Sequence, residues 1–310
     1  MNRLCDAKYK CLQTLQGNIT LKICRQQSQT KKQCKFVNQS PQYMNDTITA
    51  KNYRKLSLQI AASGMSFCCF DILNQEITSF RQVAFSKYSP IEEELGKAFV
   101  NYPQLTQPYD EIVVLHDNSF NTFVPNALFD ENFLGSYLQY NTKVFEADFF
   151  AHDPIGSYEM NNVYVPLMNV NNFLIDQIGT FEYRNVNSIL VTKLLDASKN
   201  IDEKQVYVHI QENHFEIIAA RNQKLLLFNS FEYQTPEDFL YYLLFTMEQL
   251  FLNPETANVK LLGRISESHP CYILAYTYIR HLSLLESSAL QEKWGKTNEE
   301  SLENFILFNS

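Results

Sequence analysis

Histidine beside aspartate and a hydroxyl is the material of acyl-transfer chemistry, and His116-Asp117-Asn118-Ser119 gathers those types at the end of a strand-like run. Neighbouring residues of a strand project to opposite faces, so the four cannot form a nucleophile–base relay among themselves. His152-Asp153 meets the same objection. His209 and Gln211 alternate onto one face, with His214 just beyond, which would build a small polar pocket; a histidine hydrogen-bonded into the structure is the competing reading. Cys5, Cys11, Cys24 and Cys34 contain no C-x-x-C pair, so no zinc knuckle is expected and no metal is assigned. Cys68, Cys69 and Cys271 fit a reduced, cytoplasmic setting.

The elements that must position these residues belong to a chain of 310 residues with 45% hydrophobic content, ample for a packed core. Net charge is -8, unevenly spread. Residues 1–43 carry eight Lys or Arg against the single acid Asp6, so the body holds -15. Such a body repels nucleic acid and anionic membrane at long range, and neither direct nucleic-acid binding nor a membrane span is expected. The most apolar stretch, Phe239 to Leu252, is broken by Thr246, Glu248 and Gln249 and reads as a core helix. The glutamine-rich leader has neither helix nor strand period. Met44 heads a clean start, so residues 1–43 are expected to be a disordered extension or not natively made.

From Leu56 the pattern repeats once. Leu56–Ile60, Met65–Ile72 and Thr78–Phe85 read as a meander of three antiparallel strands, and Val206–Ile210, His214–Ala220 and Lys224–Phe231 repeat it. Each trio precedes a helix start, Ser89-Pro90-Ile91-Glu92 and Thr235-Pro236-Glu237-Asp238, with a hydroxyl at the N-cap, proline at the first helical position and an acid two residues later. Each helix leads to a buried strand, Ile112–Leu115 or Val259–Leu262, and Pro90 to Val113 spans the same 23 positions as Pro236 to Val259. Between the copies, Tyr164–Leu167 and Phe181–Val186 read as strands, Asn171–Ile178 and Ser188–Ala197 as helices, and Ser198–Lys204 as a hinge. After His281 the chain turns charged and loose, with Glu292–Glu303 exposed, then closes on an apolar Phe305–Phe308.

The segments KLSLQIAASGMSFCCFD (Lys55 to Asp71), HDNSFNTFVPNALF (His116 to Phe129) and KLLLFNSFEYQTPEDFLYYLL (Lys224 to Leu244) resemble an uncharacterised Bacteroidetes family, domain of unknown function 3822, of the actin-like ATPase superfamily. The likeness runs from about Asp46 to Leu282. It implies an α/β chain with a duplicated ribonuclease H-like (actin-like ATPase) fold, two domains of mixed sheet with flanking helices, and brings no established activity. The expected division is a leader at 1–43, a first domain at 44–199, and a second at 200–310 with a C-terminal tail.

The superfamily grips phosphate with two hairpin turns of D-x-G type and binds adenosine near a Gly-Gly pair. The matching positions here are Ser63 and Gly64 in the first turn, Glu212 in the second and Gly263 before Arg264. The first turn lacks the acid, the second lacks glycine and places Glu212 where phosphate would sit, and one glycine of the pair is gone. Two-metal nuclease chemistry fails likewise, because Leu56–Phe70 carries no carboxylate. The expectation is therefore a cytoplasmic, non-catalytic binding or scaffold protein, without cofactor, whose partner is another protein. The alternative is a divergent ATP-binding phosphotransferase or ATPase using Ser63, Gly64, Glu212 and Gly263 in the interdomain cleft. Tyr233, Tyr241 and Tyr242 are the candidate interface anchors.

Overall fold

The computed structural model describes residues 51–140, 142–145 and 148–310, so the expectations for the leader and its cysteines lie outside the described residues. Alternating apolar residues build β1 (Arg54–Ala61), β2 (Gly64–Asp71) and β3 (Glu76–Ala84), an antiparallel meander. α1 (Ile91–Asn101) returns the chain so that β4 (Glu111–Asp117) pairs parallel with β1. An insertion follows: β5 (Asn121–Pro125), α2 (Leu134–Leu138), β6 (Ala151–Ile155) and β7 (Met160–Tyr164), its strands ordered β5-β7-β6. α3 (Met168–Ile178) leads to β8 (Glu182–Asn185), parallel to β4, and α4 (Val186–Ala197) completes the half.

The second half repeats the plan with β9 (Gln205–Ile210), β10 (His214–Arg221), β11 (Lys224–Glu232), α5 (Pro236–Gln249), β12 (Asn258–Gly263), α6 (Pro270–Tyr276) and β13 (His281–Leu284). The sheet orders β3-β2-β1-β4-β8 and β11-β10-β9-β12-β13 are the same path drawn twice. Three short helices close the chain: α7 (Ser288–Trp294), α8 (Asn298–Glu303) and α9 (Phe305–Phe308).

The two-residue period divides each sheet between two cores. Leu56, Leu58, Ile60 and Phe67 face outward under α1 and α3, and Val206, Val208, Ile210 and Phe215 face outward under α5 and α6. The opposite faces, with Phe70, Val113 and Leu115 from one sheet and Tyr207, Ile218 and Leu262 from the other, share a third core with α4 and α9. Fully burying each such side chain is worth ~1.5–3 kcal/mol, so this shared layer ties the halves together. The segment read as a hinge is itself tied: Gln223 N donates to Ser198 Oγ (2.9 Å) and Asn222 N to the Ile201 carbonyl (3.0 Å).

Several local expectations need correction. Thr235 caps α5 as expected, in a reciprocal box with Asp238. Ser89 does not cap α1: Pro90 takes the N-cap position and Ser89 bonds the Glu94 side chain instead. The strand expected at Tyr164–Leu167 lies earlier, at Met160–Tyr164. Its Asn161 and Asn162 are buried, and Asn162 accepts from Asn121 (2.9 Å) and donates to Ser188 (2.9 Å). The stretch read as loose after His281 forms α7 and α8, the latter capped reciprocally by Thr297 and Glu300. The expected tail of the second half seats on the first sheet, with Phe308 edge-on to Phe80 (5.6 Å), Gln82 donating to Asn304 (3.0 Å) and Ser310 to Ser57 (2.7 Å).

No helix among the described residues is long and apolar enough to cross a membrane.

Candidate functional site

Because β1 runs parallel to β4 and β9 to β12, the β1–β2 and β9–β10 turns and the last residues of β4 and β12 lie at corresponding ends of the two sheets. Gln59 and Asp117 share the inner face of the first sheet with Leu115, and His209 and Glu216 share the inner face of the second with Tyr207 and Ile218.

Gln59 Nε2 donates to Asp117 Oδ2 at 2.8 Å. Burial pushes the Asp117 carboxyl up from the ordinary carboxylate range; the Gln59 bond and the His214 and His209 rings oppose this, and the Glu216 charge adds to it. Asp117 thus faces the acid–imidazole group of the opposite sheet. There Glu216 is a hub, with Oε2 2.8 Å from His209 Nδ1 and Oε1 3.3 Å from His214 Nε2 and 3.4 Å from Ser230 Oγ. A carboxylate only accepts, so His209 Nδ1 carries the proton and Nε2 is left to Gln211 Nε2, 3.4 Å away. His209 and Gln211 therefore do share a face.

Of the residues named from sequence, Ser63 is exposed, and its carbonyl accepts from Phe85 N (2.9 Å). At Gly64 an added Cβ would stand 2.5 Å from the Val83 carbonyl, so its glycine serves the close approach of β3. Gly263 has φ +94°, and a Cβ there would stand 2.2 Å from Ile210 O; the missing side chain lets β12 press against β9 while Arg264 N donates to that carbonyl (2.7 Å). Glu212 is exposed and 3.9 Å from Arg264 Nη1, whose Nε lies 3.7 Å from Glu303. The structure thus gathers Glu212 and Gly263 at one sheet end and Ser63 and Gly64 at the other.

The remaining histidine–acid neighbours part company, as alternation requires. His116 is fully buried, its Nδ1 accepting from Leu167 N (2.7 Å) and its Nε2 facing Asn171 Oδ1 (2.9 Å), and burial lowers it to about 4. His152 turns toward Glu131 at 3.7 Å, whereas Asp153 accepts from Tyr164 (3.0 Å), Asn185 N (2.9 Å) and Ser188. Tyr233 packs on Phe215 and donates to the Gln211 carbonyl (2.8 Å), Tyr242 stacks on Phe231, and Tyr241 stays exposed. Among the described residues no group of three His, Cys, Asp or Glu side chains is placed to hold a metal ion.

Sequence reasoning passed over Gln59 and Glu216, and weighed Asp117 only within His116-Asp117-Asn118-Ser119. Their partners lie 58 residues apart in one case and across a strand pair in the other, and only register brings them together.

A model of the family described as "Protein of unknown function (DUF3822)" matches residues 43–282. Among solved structures, a Bacteroides thetaiotaomicron VPI-5482 protein with actin-like ATPase fold and unknown function is similar, at 20% identity over 76% of this chain and 91% of that one, with a TM-score of 0.70. A chain of a PilM-PilN type IV pilus biogenesis complex is similar at 13% identity over 82% of this chain and 96% of that one, with a TM-score of 0.54. No curated protein matches by sequence. The fold is that of the actin-like ATPases.

Proposed function

We propose that this chain, which belongs to the family described as Protein of unknown function (DUF3822), is a non-catalytic binding or scaffold module whose two domains, divided at residues 199 and 200, meet at a working cleft. The observation that carries this reading is the acidic charge at the corresponding ends of the two sheets: Asp117 on the first, which feels the buried Glu216 of the second, and the exposed Glu212, with Arg264 shared between Glu212 and Glu303. A phosphate chain needs open backbone N–H groups and cations. Here it would meet carboxylates, and Gly64 and Gly263 are already accounted for by strand packing. These residues do not suit a nucleotide.

A protein partner suits the cleft better, and the acidic body favours a basic one over nucleic acid. The structural relative from the PilM-PilN complex, itself part of a protein assembly, supports that direction. A cytoplasmic setting is supported by the free, buried thiols Cys68, Cys69 and Cys271.

Asp117 favours a second reading, a divergent ATPase or phosphotransferase built around Ser63, Gly64, Glu212 and Gly263. A carboxyl pushed up by burial and oriented by Gln59 is a competent proton acceptor. Phosphate release from Mg·ATP decides between the two. The scaffold reading expects none above protein-free buffer; release that Asp117→Asn abolishes would establish the second reading.

A further inference from the structure

On the outer face of the second sheet, opposite the face that carries His209 and Glu216, α5 and α6 lie side by side. At their starts the Glu237 charge helps push up the Cys271 thiol. At their ends Arg280 N donates to the Pro254 carbonyl (3.1 Å), and Arg280 Nη1 lies 3.9 Å from Glu255. Phe239, Leu243 and Met247 of α5 and Cys271 and Ala275 of α6 are buried against the sheet. On a solvated helix the opposite side is polar. Here it is aromatic instead.

Tyr241, Phe245, Phe251, Ile273, Tyr276 and Tyr278 are between 45% and 93% exposed. Tyr241 stacks on Phe245 (6.2 Å between centroids) and Tyr272 on Tyr276 (5.9 Å), so each helix carries a pair of rings four residues apart. The six exposed side chains offer roughly 700 Å² to solvent, taking ~200 Å² for a whole aromatic side chain. Monomeric proteins rarely expose an apolar patch above ~300–600 Å², whereas one side of a standard interface buries about 800 Å².

Phe251, the most exposed of the six, holds φ at +53°. It ends α5 in a Schellman turn, with Phe251 N donating to the Glu248 carbonyl (3.0 Å) and Leu252 N to the Met247 carbonyl (2.9 Å). Glycine or asparagine ordinarily takes that place, because a bulky side chain is strained there. A phenylalanine in this position costs the fold and gains no burial within it, which points to a contact outside the chain.

Charge selects the occupant. Phe239–Met247 and Pro270–Ile279 contain no charged residue, so the face has nothing to attract a basic partner of the kind the cleft suits. Aromatic residues without charge are the composition of the core of a homodimer interface. A two-fold axis brings the same patch of each copy together and needs no complementary surface elsewhere.

We propose that the α5–α6 face is a homodimer interface, on which a second copy of this chain docks through Tyr241, Phe245 and Phe251. The interface is separate from the cleft and leaves it open.

Sedimentation equilibrium of the 310-residue chain at micromolar concentration tests this. The chain is expected at twice the mass of one copy. Phe251→Gly and Tyr241→Glu each weaken dimerisation by roughly tenfold or more. Phe251→Gly also relieves the left-handed strain, so the dilute variant melts no lower than the dilute parent. Tyr88→Glu, at a residue 99% exposed between β3 and α1, leaves the dimer in place, as does Glu212→Ala in the cleft. Added salt screens the like charges of the two acidic bodies and holds or strengthens the dimer, whereas a complex built on ion pairs would loosen. A single chain at every micromolar concentration would leave the face to a different protein and overturn the assignment. So would a dimer that survives either patch variant, that Tyr88→Glu weakens as much, or that salt dissociates.

Discussion

Glu216 Oε2 lies 2.8 Å from His209 Nδ1, and both side chains are about 3% exposed. A hydrogen-bonded pair this deep is costly to break from one side, because the survivor stays buried without its partner. Glu216→Leu is expected to cost ~3–5 kcal/mol, since His214 and Ser230 lose the same acceptor. Glu216→Gln keeps an acceptor in place and costs less. Urea unfolding of the two variants beside the parent checks the order.

Gly263 and Gly96 make a contrasting pair. At Gly263 a methyl group would stand 2.2 Å from Ile210 O with φ at +94°, and Gly263→Ala should cost ~2–3 kcal/mol. At Gly96, inside α1, an added Cβ meets nothing within 4 Å, so Gly96→Ala should stabilise by about 0.5–1 kcal/mol. Thermal unfolding should move in opposite directions.

The cap correction is also testable. Thr235→Ala removes the acceptor for Asp238 N and should cost about 1 kcal/mol. Ser89→Ala removes no cap of α1 and should cost distinctly less.

His116 predicts a pH dependence. Burial lowers it from 6.5 to about 4, so the unfolded chain binds its proton more readily than the folded one does. Its neutral burial is compatible with full stability above the unfolded value, and stability falls as pH drops from 6.5 toward 4, by roughly 3 kcal/mol over the window. Asp117 and Asp153, pushed up by burial, act in the opposite sense: their contribution is whole at low pH and is lost as pH rises through their folded values. His116→Gln should therefore flatten the acid loss relative to the parent, read as the difference between the two stability–pH curves.

Trp294 is the single tryptophan, its Nε1 donating to the Phe308 carbonyl (3.1 Å) and its ring 4.8 Å from Phe70. Phe308→Ala should cost ~3–5 kcal/mol and shift Trp294 emission to the red by loosening the C-terminal segment from the first sheet.

Much of the fold was legible because period-two alternation marked both strand trios, and matching 23-residue spans from Pro90 and Pro236 marked the same helix between the same strands. The strand β7 was not legible, because its buried asparagines are satisfied by partners from Asn121 to Ser188 that no local pattern shows. The C-terminal helices read as loose for a similar reason, since their anchors, Phe80 and Gln82, are far away in the chain. At the cleft, Glu212 and the glycines could be found as turn residues. Asp117 was weighed only against its chain neighbours, whereas its bond is to Gln59 on the adjacent strand and its charged neighbours stand on the opposite sheet.

Calorimetric titration of Mg·ATP into the 310-residue chain tests the central claim most directly. The scaffold reading predicts no binding even at millimolar nucleotide. Micromolar binding, altered by Glu212→Ala, would contradict it and identify the cleft as a working nucleotide site.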